Sequence, residues 1–572
     1  MTNCESDMPG KMTLSTSPCP LPLTTKTDTT GLSWLTFCQI EKEFMQLFQL
    51  TQRETKRQIA MTGLGCGLLL CIVSCSSAPA SSASSTTANV GANISTAMPE
   101  LLVERLSWGI NTSSAMQVHQ LGSAKYVQQQ LQLAPMSNVP DMPQAIKDQI
   151  AAMTISQKSM MDIADEIEQL KKAAENKDAG DDAKKTYQQE LNRLDKEAQS
   201  RAILRALYSP QQLQEQLSWF WFNHFNVFQG KANIRAMLGD YEEQAIRPHV
   251  LGHFRELLAA TAHHPAMLRY LDNEQNAINH PNENYAREIM ELHSMGVDGG
   301  YSQHDVQELA RILTGVGFNF NRDRTPNLGK LQGQYVRNGA FEFNPRRHDY
   351  GDKQFLGHTI RGRGLGELDE AIDLLSKNPA TAHFISKKLA MFFVGETPSP
   401  DLINSMAQTF SATDGDIKAV LSTTFSSKEF ISSLGHQFKD PQHYVFSAMR
   451  LAYDDKPILN TQPVINWLSR LGQPRYGKLT PDGYPLTATA WDSPGQMTTR
   501  FEIARAIGNG SAGLFRTDSG TDFPGFPKLS NVLYFTYLQS MLSQNTLKSL
   551  DQASSPQEWN TLLLASPEMM VR

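Results

Sequence analysis

Past residue 75 the chain has no cysteine. All six, Cys4, Cys19, Cys38, Cys66, Cys71 and Cys75, lie near the start of its 572 residues. This excludes disulfides, a thiolate nucleophile and Cys-ligated zinc or iron–sulfur centres from the body of the protein. A large excess of one charge is also missing. The formal net charge is −6 and no long basic tract occurs, so nucleic acid is not an expected partner. The chain carries no GxSxG elbow, Walker A loop, Rossmann glycine fingerprint, HExxH or CxxCH, and no fixed-period repeat. These absences argue against the common hydrolase, nucleotide-binding and haem classes. They do not touch a site assembled from residues far apart in sequence.

Near the start, residues 59–74 form an apolar run of 16, IAMTGLGCGLLLCIVS, preceded by Lys56 and Arg57. A membrane span needs about 20 apolar residues, so this run has the proportions of a signal-peptide core. It ends Ile72-Val73-Ser74-Cys75, which resembles the bacterial lipobox. That resemblance implies a lipid on Cys75 and hence membrane anchoring. Residues 76–98 follow as a Ser/Ala-rich tether. Met45 opens a polar, basic stretch suited to the start of a signal peptide, so 45–75 reads as the signal and 1–44 as a non-native leader from start-site choice.

The clearest internal grammar lies in Asn282–Phe318, NENYAREIMELHSMGVDGGYSQHDVQELARILTGVGF. At 100° per residue Tyr285, Ala286, Ile289, Leu292 and His293 share one face of a helix. Glu283, Asn284, Arg287, Glu288 and Glu291 share the other. Gly296 ends that helix, and Ser302 with Asp305 predicts a capping box for the next. The polar face reads in two ways: as a solvated surface of i,i+4 pairs, or as a buried cluster binding a metal or polar ligand. Upstream, Trp219–Phe228 (WFWFNHFNVF) is apolar all round a wheel, so it should be buried, with Asn223 and His224 as polar groups needing partners in a core. Downstream, His348-Asp349, Gly351 and Lys353 put an imidazole, a carboxylate and a cation on one loop.

These stretches, with LLVERLSWGIN from Leu101, IRPHVLGHFRELLAATAHHPAMLRYLDN, and Phe343-Asn344-Pro345 and Phe355-Leu356-Gly357, resemble the DUF1800 family over roughly Leu101 to Ile507. The resemblance implies a bacterial exported protein, with exported sulfatase-like proteins as partners. It implies no reaction.

Residues 143–200 are rich in charged residues, with short stripes Ile163, Ile167, Leu170 and Tyr187, Leu191, Leu194, Ala198. They predict a charged helical hairpin, a candidate partner-binding arm. Tyr335–Phe343 predicts a short β-hairpin. Gly472–Asp492 predicts a long loop whose Tyr476, Tyr484 and Trp491 either stack on a sugar or cap the core. The expected fold is mainly α: a multi-helix globular domain over 99–516, a projecting hairpin, a few short strands in loops, and a C-terminal helical tail over 517–572.

The polar centre is expected to join Asn223, His224, Glu283, Asn284, Arg287, Glu288 and Glu291 with the His348–Asp349 loop and Lys353. The leading functional expectation is an accessory or binding role at the cell envelope. The alternatives are carbohydrate binding at Tyr476–Trp491 and a metal-dependent hydrolase. In the latter Glu288, Glu291 and His224 or His348 would ligate a divalent ion, with a spare carboxylate, Asp349 among the candidates, as base.

Overall fold

The computed structural model describes residues 94–572, apart from 96, 134–140, 177–179, 323–325, 455, 517–519 and 521–524. The leader, the signal peptide, the lipid site at Cys75 and nearly all of the tether lie outside the described residues. The chain runs through α1 (Pro99–Leu106), α2 (Thr112–Leu121), α3 (Ser123–Gln130), α4 (Gln144–Ala151), α5 (Met160–Glu175), α6 (Asp181–Tyr208) and α7 (Gln212–His224). Then come α8 (Phe254–Ala262), α9 (Pro265–Tyr270), α10 (Glu283–Glu288) and α11 (Gln303–Ile312). The strands are β1 (Val316–Phe318), β2 (Val336–Asn338), β3 (Phe341–Phe343), β4 (Lys353–Phe355) and β5 (His358–Ile360). Helices resume with α12 (Gly366–Ser376), α13 (Pro379–Phe393), α14 (Pro400–Ala412), α15 (Ile417–Phe425), α16 (Lys428–Ser433) and α17 (Pro441–Tyr453). The chain closes with α18 (Gln462–Arg470), α19 (Pro494–Gly508), α20 (Gln544–Asp551) and α21 (Pro556–Leu564). The protein is mainly α. Among the described residues no helix is long and apolar enough to cross a membrane.

The core grows outward from α7. Every residue from Gln212 to Val227 is buried, as a helix apolar all round requires. Phe220 packs on Phe392 of α13 at 5.1 Å between ring centroids, and Trp221 packs on Phe254 of α8 at 5.9 Å. Burying each such ring contributes about 1.5–3 kcal/mol. Trp221 Nε1 donates to Val250 O at 3.2 Å, so its polar end is not stranded.

The charged segment forms the expected hairpin. Ile163 and Ile167 of α5 meet Leu191 and Leu194 of α6 and Ala236 of the body. From Ala198 to Leu207 the face of α6 is almost wholly buried, so one of the hairpin's two helices is rooted in the core. Ion pairs from Arg322 to Asp162 (2.5 Å) and Asp165 (3.5 Å) tie α5 to the body.

The β2–β3 hairpin is present as expected. It gains β1 on its far side, giving the antiparallel order β1-β3-β2 with Val316 opposite Phe343. A second hairpin, β4–β5, turns at Leu356 and Gly357, both at positive φ.

In the central segment the capping box forms: Ser302 Oγ accepts from Asp305 N. The helix before it departs from a regular wheel. After Glu288 it widens into a π turn, Ile289–Ser294, in which Met295 N donates to Met290 O at 2.9 Å. The extra residue in the turn lets both His293 and Ser294 face the core, while Leu292 is only half-buried.

Candidate functional site

The end of α7, α13 and the loop of residues 472–492 line an open cleft of about 350 Å³. The loop is pinned by α7. Asn223 uses its amide as a backbone mimic: Nδ2 donates to Tyr484 O at 3.0 Å and Oδ1 accepts from Tyr484 N at 2.6 Å. Asn226 Nδ2 donates to Lys478 O and Thr480 O at 3.0 and 2.8 Å, and Tyr270 Oη donates to Leu479 O at 2.7 Å. Gly483, at φ +76°, sits directly against the Asn223 carbonyl, where a side chain would collide. The buried polar residues of WFWFNHFNVF thus build the loop that closes the cleft.

His224 lines the cleft and is 1% exposed. Its Nε2 lies 3.1 Å from His293 O, so this nitrogen carries the proton and donates. Its Nδ1 has no partner, and neither does His293 Nε2. Burial, followed by the nearby Lys388 charge and His293, holds His224 well below the ordinary imidazole range. Burial and then Lys388 push His293 down to about 3. Both rings are therefore neutral at physiological pH.

Lys388 of α13 is half-buried in the cleft wall with Phe220, Phe384 and Met391. Its Nζ lies 5.6 Å from the Phe384 ring centroid. Among the described residues it makes no hydrogen bond or ion pair. Burial lowers it to about 8, against the pull of Asp482. Asp482, on the loop, sits 3.5 Å from Lys478 and also bears on Glu288. Glu288 is raised by burial, then by Glu291, with Asp482 adding and Arg287 opposing. The cleft therefore gathers a neutral imidazole, His224, an unpaired lysine, Lys388, and one carboxylate, Asp482, on an apolar wall, with His293 buried next to His224.

Residues 101–571 match the family described as a protein of unknown function, DUF1800. The chain belongs to this family. No curated protein and no solved structure matches it. The matched stretch continues past Ile507 through α20 and α21 to the C-terminal segment, whose Arg572 is buried at 3% exposure and donates from Nη2 to Phe392 O at 2.7 Å.

The remaining nominated residues of this DUF1800 chain fall elsewhere. Glu283, Arg287 and Glu291 form the i,i+4 ladder at 3.4 and 3.5 Å, with Gln303 bridging. Arg287 and Glu283 are more than a third exposed, so this part of the face is solvated, and Asn284 is exposed too. Among the described residues no three His, Cys, Asp or Glu side chains converge as metal ligands, so Glu288, Glu291 and His224 or His348 do not form a ready cation cage.

His348, Asp349 and Lys353 build a separate, closed knot. Glu367 at the start of α12 is its hub. One oxygen faces His348 Nε2 at 2.9 Å and accepts from Arg363 N and Gly364 N at 2.6 and 2.8 Å; the other takes Lys353 Nζ. His348 Nδ1 lies 2.7 Å from Thr314 O. Asp349 takes a two-pronged grip from Arg311 at 2.8 and 3.2 Å, which holds its carboxyl below the ordinary range, with help from the Gly351 backbone amide. Lys353 is fully buried. A second closed knot joins Asp440, His443 and Arg572. Asp440 Oδ2 lies 2.9 Å from His443 Nδ1, and Arg572 Nη1 lies 2.6 Å from His443 Nε2. Arg572 donates only, so His443 is neutral with its proton on Nδ1.

Tyr476 and Trp491 are buried, with Tyr476 Oη on Glu242 at 2.8 Å and Trp491 Nε1 on Pro485 O at 3.2 Å; they cap the core.

Sequence reading did not single out Lys388, Asp482 or Glu367. For Lys388 a signal exists: it sits at i,i+4,i+8 with Phe384 and Phe392, a lysine on an apolar stripe. For Asp482 and Glu367 no local pattern marks the role, because their partners lie on other elements.

Proposed function

We propose that this protein is exported, anchored to a bacterial membrane through a lipid at Cys75, and serves there as a binding or accessory protein. Its folded unit would hold a small ligand in the cleft between α7, α13 and the loop of residues 472–492. The observation that carries the ligand site is Lys388: an ammonium in an apolar wall without a carboxylate partner of its own, beside Lys387 at the cleft mouth. A cation held this way favours a ligand with an acidic group and an apolar body, the body lying on Phe220, Phe384 and Met391. The lipobox-like Ile72-Val73-Ser74-Cys75 supports the anchor. The charged α5–α6 hairpin is the surface we assign to a partner, with exported sulfatase-like proteins as the class that the family resemblance implies. No observation favours the metal-assisted or sugar-stacking readings over this one: no three ligands converge among the described residues, and Tyr476 and Trp491 are buried.

Two measurements test it. Cys75→Ala should move the protein from the membrane to the soluble fraction of cells; persistence in the membrane rejects the anchor. With that soluble full chain, 4-methylbenzoate should raise the melting temperature and 4-methylbenzamide should not. Lys388→Met should remove the difference. Equal responses to acid and amide would reject the anionic ligand.

A further inference from the structure

We propose that Lys388 is a covalent amine site, forming a reversible imine with a carbonyl ligand that also carries an acidic group. The proposal rests on the cleft being the ligand site and adds a chemical step to it. Three observations on geometry carry it. First, Lys388 lines a cleft of about 350 Å³, large enough for a substituted aromatic or short aliphatic carbonyl compound. Second, its Nζ is held by the Phe384 ring and by no hydrogen-bond acceptor among the described residues, so the lone pair, once the proton leaves, is not tied up. Third, the two other surroundings that the step needs are present. Lys387 is a second cation for the ligand's acidic group, and Asp482 is a carboxylate in the same lining. Lysines serve as imine-forming nucleophiles where an apolar pocket or a neighbouring cation favours the neutral amine. The lowered proton affinity of Lys388, near 8, agrees with this.

The step balances without a redox partner. The neutral amine attacks the carbonyl carbon and a C–N bond forms. One proton moves from nitrogen to the former carbonyl oxygen, giving the carbinolamine. The C–O bond then breaks, the oxygen leaves as water after taking a proton, and the protonated imine remains. Water entering the open cleft relays these protons, with the Asp482 carboxylate in the same lining. Water reverses the sequence. His224 in the lining and His293 next to it are neutral and buried, and neither adds charge at working pH; Tyr484 in the same lining is pushed above its ordinary range by burial and stays neutral too.

The test uses the Cys75→Ala full chain with 4-carboxybenzaldehyde and sodium cyanoborohydride, which donates hydride to the imine carbon and fixes the adduct. Peptide mapping should place the adduct on Lys388 at least tenfold faster than on exposed lysines at pH 7, and the rate should rise with a midpoint near pH 8 rather than above 10. Lys388→Arg, which keeps the charge, should abolish this adduct while leaving labelling elsewhere unchanged. Adducts distributed over surface lysines, with Lys388 no faster, overturn the proposal. Reversible binding of 4-methylbenzoate without trapping at Lys388 overturns only the covalent step. Absence of both rejects the ligand site with it.

Discussion

The cleft and the His348 knot hold the same kinds of side chain, imidazole, lysine and carboxylate, and treat them in opposite ways. In the knot nearly every hydrogen-bonding position is taken. Glu367 accepts from His348, Lys353 and two backbone amides, and both His348 nitrogens face oxygen. In the cleft Lys388 has only a ring face and His224 Nδ1 has nothing, nor does Nε2 of the neighbouring His293. A buried polar group without a partner costs about 1–3 kcal/mol. A fold keeps such groups where something else compensates, and a bound ligand is one such compensation. Residue types that suggest chemistry are therefore a weaker guide than whether their bonding capacity is used up inside the protein. The loop with the more suggestive sequence is the closed one.

Acid should break both kinds of region, and this is the largest effect expected. His293, buried next to His224 of the cleft, is held neutral to about 3, and His443 in the second closed knot to about 4. For both, burial is the leading cause. The unfolded chain protonates its histidines near 6.5. Between that value and the folded ones the unfolded state binds more protons, so stability is fully present above pH 6.5 and declines as pH falls. Two such groups remove on the order of 5 kcal/mol by pH 4.5. Urea unfolding from pH 7 to 4.5 should show it, and His293→Gln and His443→Gln should each flatten the slope by close to one proton. An unchanged slope in His293→Gln would mean that the ring is charged in the folded state, which would also undo the neutral-imidazole reading of the cleft.

Next in size is the knot itself. Glu367→Ala leaves His348 and Lys353 buried without their common acceptor, and breaking a buried ion pair on one side costs about 3–5 kcal/mol. Glu367→Gln keeps some hydrogen bonds and should cost less. A loss under about 1 kcal/mol in Glu367→Ala, read from the same denaturation, would mean that the knot is not a structural clamp.

The contrast also explains what was legible in the chain. Patterns local to one element were readable: the Ser302–Asp305 capping box, the all-round burial of Trp219–Val227, the α5–α6 hairpin and the strand pair around Gly339. Each depends on spacing within a few residues. The π turn at Ile289–Ser294 was not readable, because the extra residue comes from packing in the core and not from any helix-breaking residue type. The polar residues of Asn223–His224 were visible as a buried anomaly, but their roles differ for reasons outside the segment. Asn223 holds a loop 261 positions away, while His224 meets the carbonyl of His293. Lys388 and Asp482 become a site only when α13 and that loop meet. The knot was legible at His348, Asp349 and Lys353 but not at its hub, Glu367, since a glutamate at a helix start is an ordinary feature.

Gly483→Ala sharpens the comparison from the cleft side. The residue is at φ +76°, and the added carbon would press on the Asn223 carbonyl, so strain and displacement together should cost roughly 2 kcal/mol. The loop carrying Asp482 and Tyr484 should move, so ligand-dependent melting shifts should weaken beyond what the stability loss explains. An Ala variant that is less stable yet binds as before would separate the loop from the site.

Lys388→Met is the smallest loss of stability expected and the most telling. Methionine has a similar length and suits the Phe220, Phe384 and Met391 wall, while the lysine it replaces makes no ion pair among the described residues. Any loss of stability should stay under about 0.5 kcal/mol, the range of substitutions that disturb no buried network. Below pH 8 it should rise if it changes at all, because a half-buried ammonium of lowered affinity for its proton opposes folding when charged. The same change made at Lys353→Met should cost several-fold more, since there it strips Glu367 of a buried partner. Equal costs at the two lysines would place Lys388 in a structural network like the knot and remove the physical difference on which the ligand site stands. A neutral Lys388→Met that loses the acid-dependent melting shift would assign that lysine to binding and Lys353 to holding the fold.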